Sequence, residues 1–168
     1  ATKPYGFMKF VPGPGLGGHC IPVDPAYLAW KMRSLNFQAR FIDLATEING
    51  QMPRHVADRI NDLLNADRIA VNGAKILLLG VAYKSNVSDL RESPALDVMR
   101  LLIQKGADLS YSDPHVREVA LDGRTFKSVE PTDELLGELD LAVIITQHAV
   151  VDYDHIVARC PRIFDTRN

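Results

Sequence analysis

A chain of 168 residues is long enough for one domain of ordinary size plus an additional segment, and a hydrophobic content of 46% is sufficient for a core. The longest apolar runs, at 75–81 and 141–145, are far shorter than the roughly 20 residues of a membrane-spanning helix, so we expect no membrane-embedded segment. Nineteen basic and 21 acidic residues give a formal charge of −2 without a basic block, which argues against a nucleic-acid partner.

The first 23 residues are rich in glycine and proline, a composition that predicts a structured loop. The chain opens without an initiator Met, and we expect it to be part of a longer protein. Its two cysteines, Cys20 and Cys160, lie far apart, and no signal-peptide pattern precedes them. These features favour a reducing, cytoplasmic compartment.

Helical patterns follow the loop. Asp24 and Pro25 match an N-cap and a first helical residue, and they predict a helix that runs to about residue 35. A second apolar stripe over 41–64 contains Pro53, so it predicts either one kinked helix or two helices.

From residue 75 the pattern changes to an alternation of strands and helices. Such alternation predicts a parallel, doubly wound, Rossmann-like α/β sheet. The stretch 66–73 is the predicted linker, which divides the chain into 1–73 and 74–168. Predicted strands lie at 76–79, 109–112, 126–129, 141–145 and 162–165, and predicted helices at 93–104, 132–138 and within 148–159.

Gly13, Gly15 and Gly18 have the spacing of the dinucleotide fingerprint G-x-G-x-x-G. That fingerprint requires a strand before it and a helix directly after it, whereas Pro12 precedes these glycines and Pro22 prevents a helix from following. The glycines are therefore expected either to let a ligand lie against bare backbone beside the cysteine or to form a tight structural loop.

The segment from Pro12 to Pro25 closely resembles the catalytic loop of the UDP-glucose/GDP-mannose dehydrogenase family. Its His-Cys-Ile-Pro-Val-Asp-Pro run is most similar to the branch that oxidises UDP-N-acetylhexosamines, and Val23 stands where the UDP-glucose branch more often has lysine. The resemblance continues through the four later motifs Gly80-Val-Ala-Tyr-Lys84, Asp89-Leu-Arg91-Glu-Ser-Pro94, Tyr111-Ser-Asp113-Pro114 and Asp165-Thr-Arg-Asn.

The resemblance implies an NAD-dependent, four-electron oxidation of a UDP-sugar C6 alcohol to a uronate, as a step in polysaccharide biosynthesis. Cys20 is then the nucleophile that carries a thioester, and Asp24 is the carboxylate that orients water, although Asp24 also suits a simple N-cap. The family pattern further implies a homodimer formed by the central helical region, a UDP-binding C-terminal domain over 74–168, and NAD held mainly by residues upstream of this chain.

The same resemblance assigns individual binding residues. Arg91 is expected to contact the cofactor, and its alternative is an ordinary surface charge, as it is for Lys84. His19 is a poor base for the cysteine because adjacent side chains seldom face each other, and the other histidines lack ligand-like spacing, so no metal site is predicted. The predicted substrate contacts are Tyr5, Phe7, Gly13, Gly15, Gly17, Gly18 and Lys84.

Three alternatives to this interpretation stay open. The chain could be a nucleotide-sugar-binding and dimerising module without catalysis, or belong to a UDP-glucose dehydrogenase. A cysteine hydrolase or acyltransferase built on Cys20 is disfavoured, because no base is placed for it. Cys160, in contrast, is expected to be a small buried apolar side chain.

Overall fold

The computed structural model describes residue 6 and residues 11–167. Residues 11–23 form an irregular loop, followed by helix α1 (Asp24–Arg33) and helix α2 (Arg40–Ala66). Within that part of the chain, no helix is both long enough and apolar enough to cross a bilayer.

Helix α2 is one continuous helix of 27 residues with Pro53 inside it, which settles the alternative between one helix and two. Its two halves have different surroundings. Val56, Ile60 and Leu64 are buried and belong to the main core of the α/β part of the chain, whereas Phe41 near its start is 90% exposed. The helix therefore extends from the loop region into the core of the sheet, and the division at residue 73 stays a prediction.

Four parallel strands form the sheet: β1 (Lys75–Leu79), β2 (Asp108–Ser112), β5 (Leu141–Ile144) and β6 (Ile163–Asp165). Their order in the sheet is β2-β1-β5-β6. Strand β1 lies between two neighbours, so that Leu78 pairs with Tyr111 on one side and with Val143 on the other. This confirms the parallel α/β fold predicted from the alternation. The helices between the strands are α3 (Pro94–Gln104), α4 (Asp133–Glu138) and α5 (Tyr153–Arg159).

Side chains on β1 alternate between two cores, because successive residues of a strand point to opposite faces. Ile76 and Leu78 pack with α2 and α3, whereas Leu77 and Leu79 pack with α4 and α5. Helices therefore cover both faces of the sheet.

One element was not predicted correctly. The sequence pattern placed a single strand at 126–129, but the chain forms an antiparallel hairpin of β3 (Glu118–Leu121) and β4 (Arg124–Lys127), outside the main sheet. Asp122 and Gly123 at its turn both have positive φ, of 48° and 77°. Such a pair is typical of a two-residue hairpin turn, and the Asp-Gly dipeptide was the available signal.

Candidate active site

The loop 11–23, hereafter the Gly loop, lies against the loop 80–93 that leads from β1 to α3, hereafter the crossover loop. The Gly18 N–H donates to the Arg91 carbonyl at 2.9 Å. A Cβ on Gly17 would lie 2.6 Å from Tyr83 Cβ and 2.8 Å from the Glu92 carbonyl oxygen, and one on Gly18 would lie 2.9 Å from the Tyr83 ring. Glycine is therefore required at both positions because the two loops are in direct contact.

The other end of the Gly loop contacts the end of the chain. Arg167 Nη1 lies 3.2 Å from the position that a Cβ on Gly13 would occupy, and Arg167 Nε donates to the Ile145 carbonyl at 3.3 Å. Gly15 faces Pro94, at the start of α3, at 3.0 Å by the same measure. The Gly loop thus contacts the segments that follow the carboxyl ends of two parallel strands, β1 and β6.

Cys20 lies exposed at the end of the Gly loop. Its carbonyl accepts the Val23 N–H at 3.1 Å and the Asp24 N–H at 2.8 Å, so a tight turn leads directly into α1. Asp24 is the first residue of α1 and is exposed. The prediction that Asp24 is the N-cap is wrong: Val23 holds that position in a helical conformation, and no side chain caps the helix.

The crossover loop carries a permanent cation next to the Gly loop. Arg91 forms an exposed bidentate pair with Asp89, at 2.6 Å and 3.0 Å to one carboxylate oxygen. The hydrogen bond from Arg91 lowers the pKa of Asp89 from its ordinary value of 3.8 to about 2. The pair in turn raises the pKa of Arg91, with smaller contributions in the same direction from Tyr83 and Cys20. The guanidinium of Arg91 is therefore close enough to Cys20, the candidate nucleophile, for the two groups to interact electrostatically.

Lys84 is exposed in the crossover loop, next to Tyr83. The crevice between β1 and β5, where doubly wound sheets commonly bind nucleotides, is filled by the chain itself. A Cβ on Gly80 would lie 1.9 Å from the Thr146 carbonyl oxygen, and Asp113 and His148 are buried in the same region. Lys84 itself is exposed on the solvent side of the crossover loop, hereafter its outer side.

The structure thus brings together the predicted residues of the Gly loop, Cys20 and Arg91. Tyr5 and Phe7 lie outside the described residues. Two residues that the sequence analysis quoted only as parts of motifs gain a role from geometry: Tyr83, which packs on the paired glycines, and Arg167, which lies at Gly13. Arg167 could have been found from its position directly after the last strand, where the carboxyl edge of the sheet lies.

A groove of about 440 Å³ opens beside the Gly loop between the first half of α2 and the start of α3. Its lining includes Leu16, Ile21, Phe41 and Pro53 and is mainly apolar, but includes neither Cys20 nor Lys84 nor Arg91. The groove therefore suits an apolar covering segment better than a nucleotide. No group of three or more His, Cys, Asp or Glu side chains within residues 11–167 is arranged to hold a metal ion.

Comparison with known families identifies the class of protein that this arrangement belongs to. The UDP-glucose/GDP-mannose dehydrogenase family matches in two parts, its UDP binding domain over residues 77–168 and its central domain over residues 1–51. The chain belongs to the UDP-glucose/GDP-mannose dehydrogenase family. This confirms the resemblance inferred from the ordered motifs.

Individual members of this family are similar to the chain over nearly its whole length. A UDP-N-acetyl-D-mannosamine dehydrogenase of Methanococcus maripaludis is 35% identical over 165 residues, covering 94% of this chain and 36% of that protein. The solved UDP-D-ManNAc dehydrogenase of Pyrococcus horikoshii matches 97% of this chain with a TM-score of 0.78 and 28% identity, and a UDP-glucose dehydrogenase of Pyrobaculum islandicum matches 93% with a TM-score of 0.76 and 28% identity. The chain spans 37% and 35% of those two structures, so it is little more than a third as long as these relatives.

Proposed function

We propose that this chain forms the catalytic-cysteine and nucleotide-binding part of a UDP-sugar 6-dehydrogenase. The observation that carries the proposal is the contact between the Gly loop and the crossover loop. Because Gly17 and Gly18 lie directly on Tyr83, the exposed thiol of Cys20 is held beside a loop that presents Lys84 and Arg91 to solvent. A thiol beside a loop that carries cationic side chains suits a substrate in which an oxidisable sugar is joined to a diphosphate.

The diphosphate has suitable partners around the Gly loop. Arg167 lies at Gly13, near the start of the loop, and a planar guanidinium matches phosphate oxygens in a bidentate way. Arg91, whose carbonyl accepts the Gly18 N–H, remains proposed as a cofactor contact. Lys84 adds a flexible ammonium on the outer side of the crossover loop. The sides of Gly13, Gly15, Gly17 and Gly18 that lack a Cβ face Arg167, Pro94 and Tyr83, so these glycines serve the packing of the loop, and their contact with a ligand stays a prediction. We assign the UDP moiety to this surface.

The chemistry assigned to Cys20 follows from the oxidation level of the product. Converting a primary alcohol to a carboxylate removes four electrons, and two NAD+ molecules, bound one after the other, would each accept one hydride. The Cys20 thiolate adds to the aldehyde stage, holds the carbon in the site and then carries the acyl group as a thioester. Water breaks that thioester and supplies the second carboxylate oxygen, and Asp24, one helical turn after the cysteine, is the group we assign to orient that water.

The sugar is proposed to be a UDP-N-acetylhexosamine. The support is the His-Cys-Ile-Pro-Val-Asp-Pro run around Cys20, together with the similarity to the Methanococcus and Pyrococcus relatives, which are UDP-N-acetyl-D-mannosamine dehydrogenases. A UDP-glucose dehydrogenase is the second candidate, because the Pyrobaculum relative with that name has nearly the same TM-score. Cytoplasmic action in polysaccharide biosynthesis is part of the same proposal, and it agrees with two free cysteines.

A homodimer is proposed through the apolar surface of α1 and the first half of α2. Tyr27, Trp30, Phe41 and Ile48 are each more than half exposed there, and the groove of about 440 Å³ lies beside them. Contiguous exposed apolar surface of this kind is typical of a protein interface.

The test of the catalytic assignment compares two cysteine substitutions in the full-length protein, with NAD+ reduction and uronate formation measured against a panel of UDP-sugars. Cys20→Ala is expected to abolish uronate formation, because no thioester can form. Cys160→Ala is the matched control: Cys160 is buried on the other face of the sheet, so its loss should lower stability slightly and leave turnover intact. Equal activity losses from both substitutions would reject Cys20 as the nucleophile.

The 168-residue chain alone is expected to bind UDP weakly and to leave NAD+ unreduced. The described Gly loop has no helix starting within its G-x-G-x-x-G letters, since α1 begins only at Asp24. Calorimetry with UDP and absorbance of NADH would measure the two properties separately. Cofactor reduction above a Cys20→Ala control would overturn this expectation, and UDP binding without turnover in the full-length protein would favour a non-catalytic binding module.

A further inference from the structure

Two buried polar side chains hold the crossover loop at both ends of the segment that carries Lys84. At the near end, Asp113 Oδ2 accepts the Val81 N–H at 2.8 Å and the Ala82 N–H at 3.2 Å. At the far end, His148 Nδ1 accepts the Asn86 N–H at 3.0 Å. Asp113 and His148 are 3% and 1% exposed, and they contact each other, with His148 Nε2 at 3.1 Å from Asp113 Oδ2. The two anchors are therefore one connected unit.

The hydrogen bonds define the protonation state of His148. A backbone N–H can only donate, so Nδ1, which faces the Asn86 N–H, has a lone pair and no proton. A carboxylate can only accept, so Nε2 carries the hydrogen toward Asp113. His148 is therefore the neutral Nε2–H tautomer, with Nδ1 accepting from Asn86 and Nε2 donating to Asp113.

The backbone conformation of Asn86 directs its N–H toward His148 Nδ1. Its φ of 61° lies in the left-handed region, which asparagine tolerates better than most residues, and this conformation presents its N–H to the histidine ring. The Asn86 side-chain oxygen also accepts the Ala149 N–H at 2.8 Å. Residues 148–149 and Asn86 thus bind each other twice, and Lys84 lies only two residues away.

We propose that His148 is a positioning residue for the nucleotide-sugar site, acting through its Nδ1 acceptor to fix the loop that presents Lys84. The inference rests on the proposed function, because Lys84 is assigned to the substrate there. His148 itself is buried and has no direct path to a ligand on the outer side of the loop.

Two substitutions separate the two ring nitrogens. In His148→Asn the side-chain oxygen can replace the Nδ1 acceptor, whereas in His148→Gln the side-chain amide can replace the Nε2 donor. Calorimetry of the chain with UDP-N-acetylglucosamine, whose diphosphate has no proton to gain near neutral pH, would measure binding. We expect His148→Gln to weaken binding about tenfold, because the Asn86 N–H loses its partner, and His148→Asn to stay within about twofold of the unchanged chain.

Amide exchange at Asn86 and ¹⁵N spectra of His148 give readouts that do not depend on the ligand. Exchange should be faster in His148→Gln than in His148→Asn, and the ring should show an unprotonated Nδ1. Should His148→Gln fail to fold, the unchanged chain serves instead: a ¹⁵N–¹⁵N coupling across the hydrogen bond from the Asn86 N–H to His148 Nδ1 should be observed, and its absence would overturn the proposal. Unchanged binding and exchange in His148→Gln, or a protonated Nδ1 at neutral pH, would overturn the proposal.

Lys84→Ala distinguishes this inference from the proposed function. If Lys84→Ala binds the sugar nucleotide as well as the unchanged chain, the assignment of Lys84 fails, and with it the link from His148 to the ligand. If Lys84→Ala weakens binding but His148→Gln does not, the substrate site stands and the positioning role of His148 is rejected.

Discussion

The loop and helix region up to residue 50 and the α/β region from residue 75 use their apolar residues in opposite ways. Of the 14 large apolar side chains that are exposed in the described residues, 12 lie from Val11 to Ile48, and only Val150 and Val157 lie beyond them. Among the described residues before Val56, the only buried apolar side chains are those of Ala29 and of prolines. The α/β region therefore forms the core together with the second half of α2, whereas the first region leaves most of its large apolar side chains exposed.

This difference explains where the candidate site lies. Cys20 belongs to the region without a core of its own, and it is positioned by contact with the region that has one. The paired glycines on Tyr83 and the hydrogen bond from Gly18 to Arg91 are the main contacts that join the Gly loop to the crossover loop. Changes within the α/β core should thus affect global stability, and changes at the loop contact should affect Cys20 first.

The largest expected effect tests the close packing within the α/β region. Gly80→Ala places a Cβ 1.9 Å from the Thr146 carbonyl oxygen at a φ of 79°, and we expect a loss of at least about 3 kcal/mol in the free energy of unfolding. Gly123→Ala is the matched control, since its φ is 77° and no atom lies within 4 Å of the added carbon. Backbone strain alone should cost about 1 kcal/mol there. Equal urea midpoints for the two variants would contradict the close contact.

The second prediction concerns the contact between the two regions. Gly17→Ala should push the Gly loop away from Tyr83 and Glu92 at a cost of about 2 kcal/mol, and the thiol of Cys20 should react faster with a disulfide reagent. Gly50→Ala, within α2 and with no atom near its added carbon, should instead stabilise the helix by about 0.5–1 kcal/mol. A Cys20 reaction rate that is unchanged in Gly17→Ala would show that the contact does not position the cysteine.

The third prediction tests whether the exposed apolar surface is an interface. Phe41→Glu should weaken self-association of the chain by about tenfold or more, because a charge would replace a 90% exposed aromatic ring beside the apolar groove. Val157→Glu is the control, since Val157 is also exposed but lies on α5 in the α/β region. Sedimentation equilibrium would measure both. Similar behaviour of the two variants would place any interface elsewhere.

The sequence predicted the fold well where local pattern decides structure. The strand and helix limits around β1 and α3 follow from a buried apolar run and a Ser-Pro helix start, and both were predicted within a residue or two. The hairpin β3–β4 was missed because its strands have only four residues each. The burial of β3 alternates, but Ala120 at an exposed position hides this in the sequence, and β4 is mostly exposed. The turn residues Asp122 and Gly123 were the stronger signal.

The site was predictable in its members but not in its geometry. The motif around Cys20 indicated the nucleophile, but contacts between residues 60 or more positions apart cannot be read from local pattern. These include the packing of Gly17 on Tyr83 and the bond from Asn86 to His148. His148 in particular was considered only as a metal ligand, since no spacing relates it to Asp113.

The smallest expected effect on stability is at Arg91, which lies at the boundary between the two regions. Its pair with Asp89 is exposed, and exposed ion pairs contribute little to folding, so Arg91→Ala should leave the urea midpoint nearly unchanged while full-length activity falls. The pH dependence has a definite sign. Because Arg91 lowers the pKa of Asp89 from 3.8 to about 2, the pair's contribution is complete above pH 3.8 and disappears as the pH falls toward 2. The pKa of Asp89, measured by NMR titration of its carboxyl carbon, should therefore be higher in Arg91→Ala than in the unchanged protein. A large fall in the urea midpoint at pH 7 with unchanged kinetics would instead make Arg91 a structural residue whose side chain holds the crossover loop through Asp89.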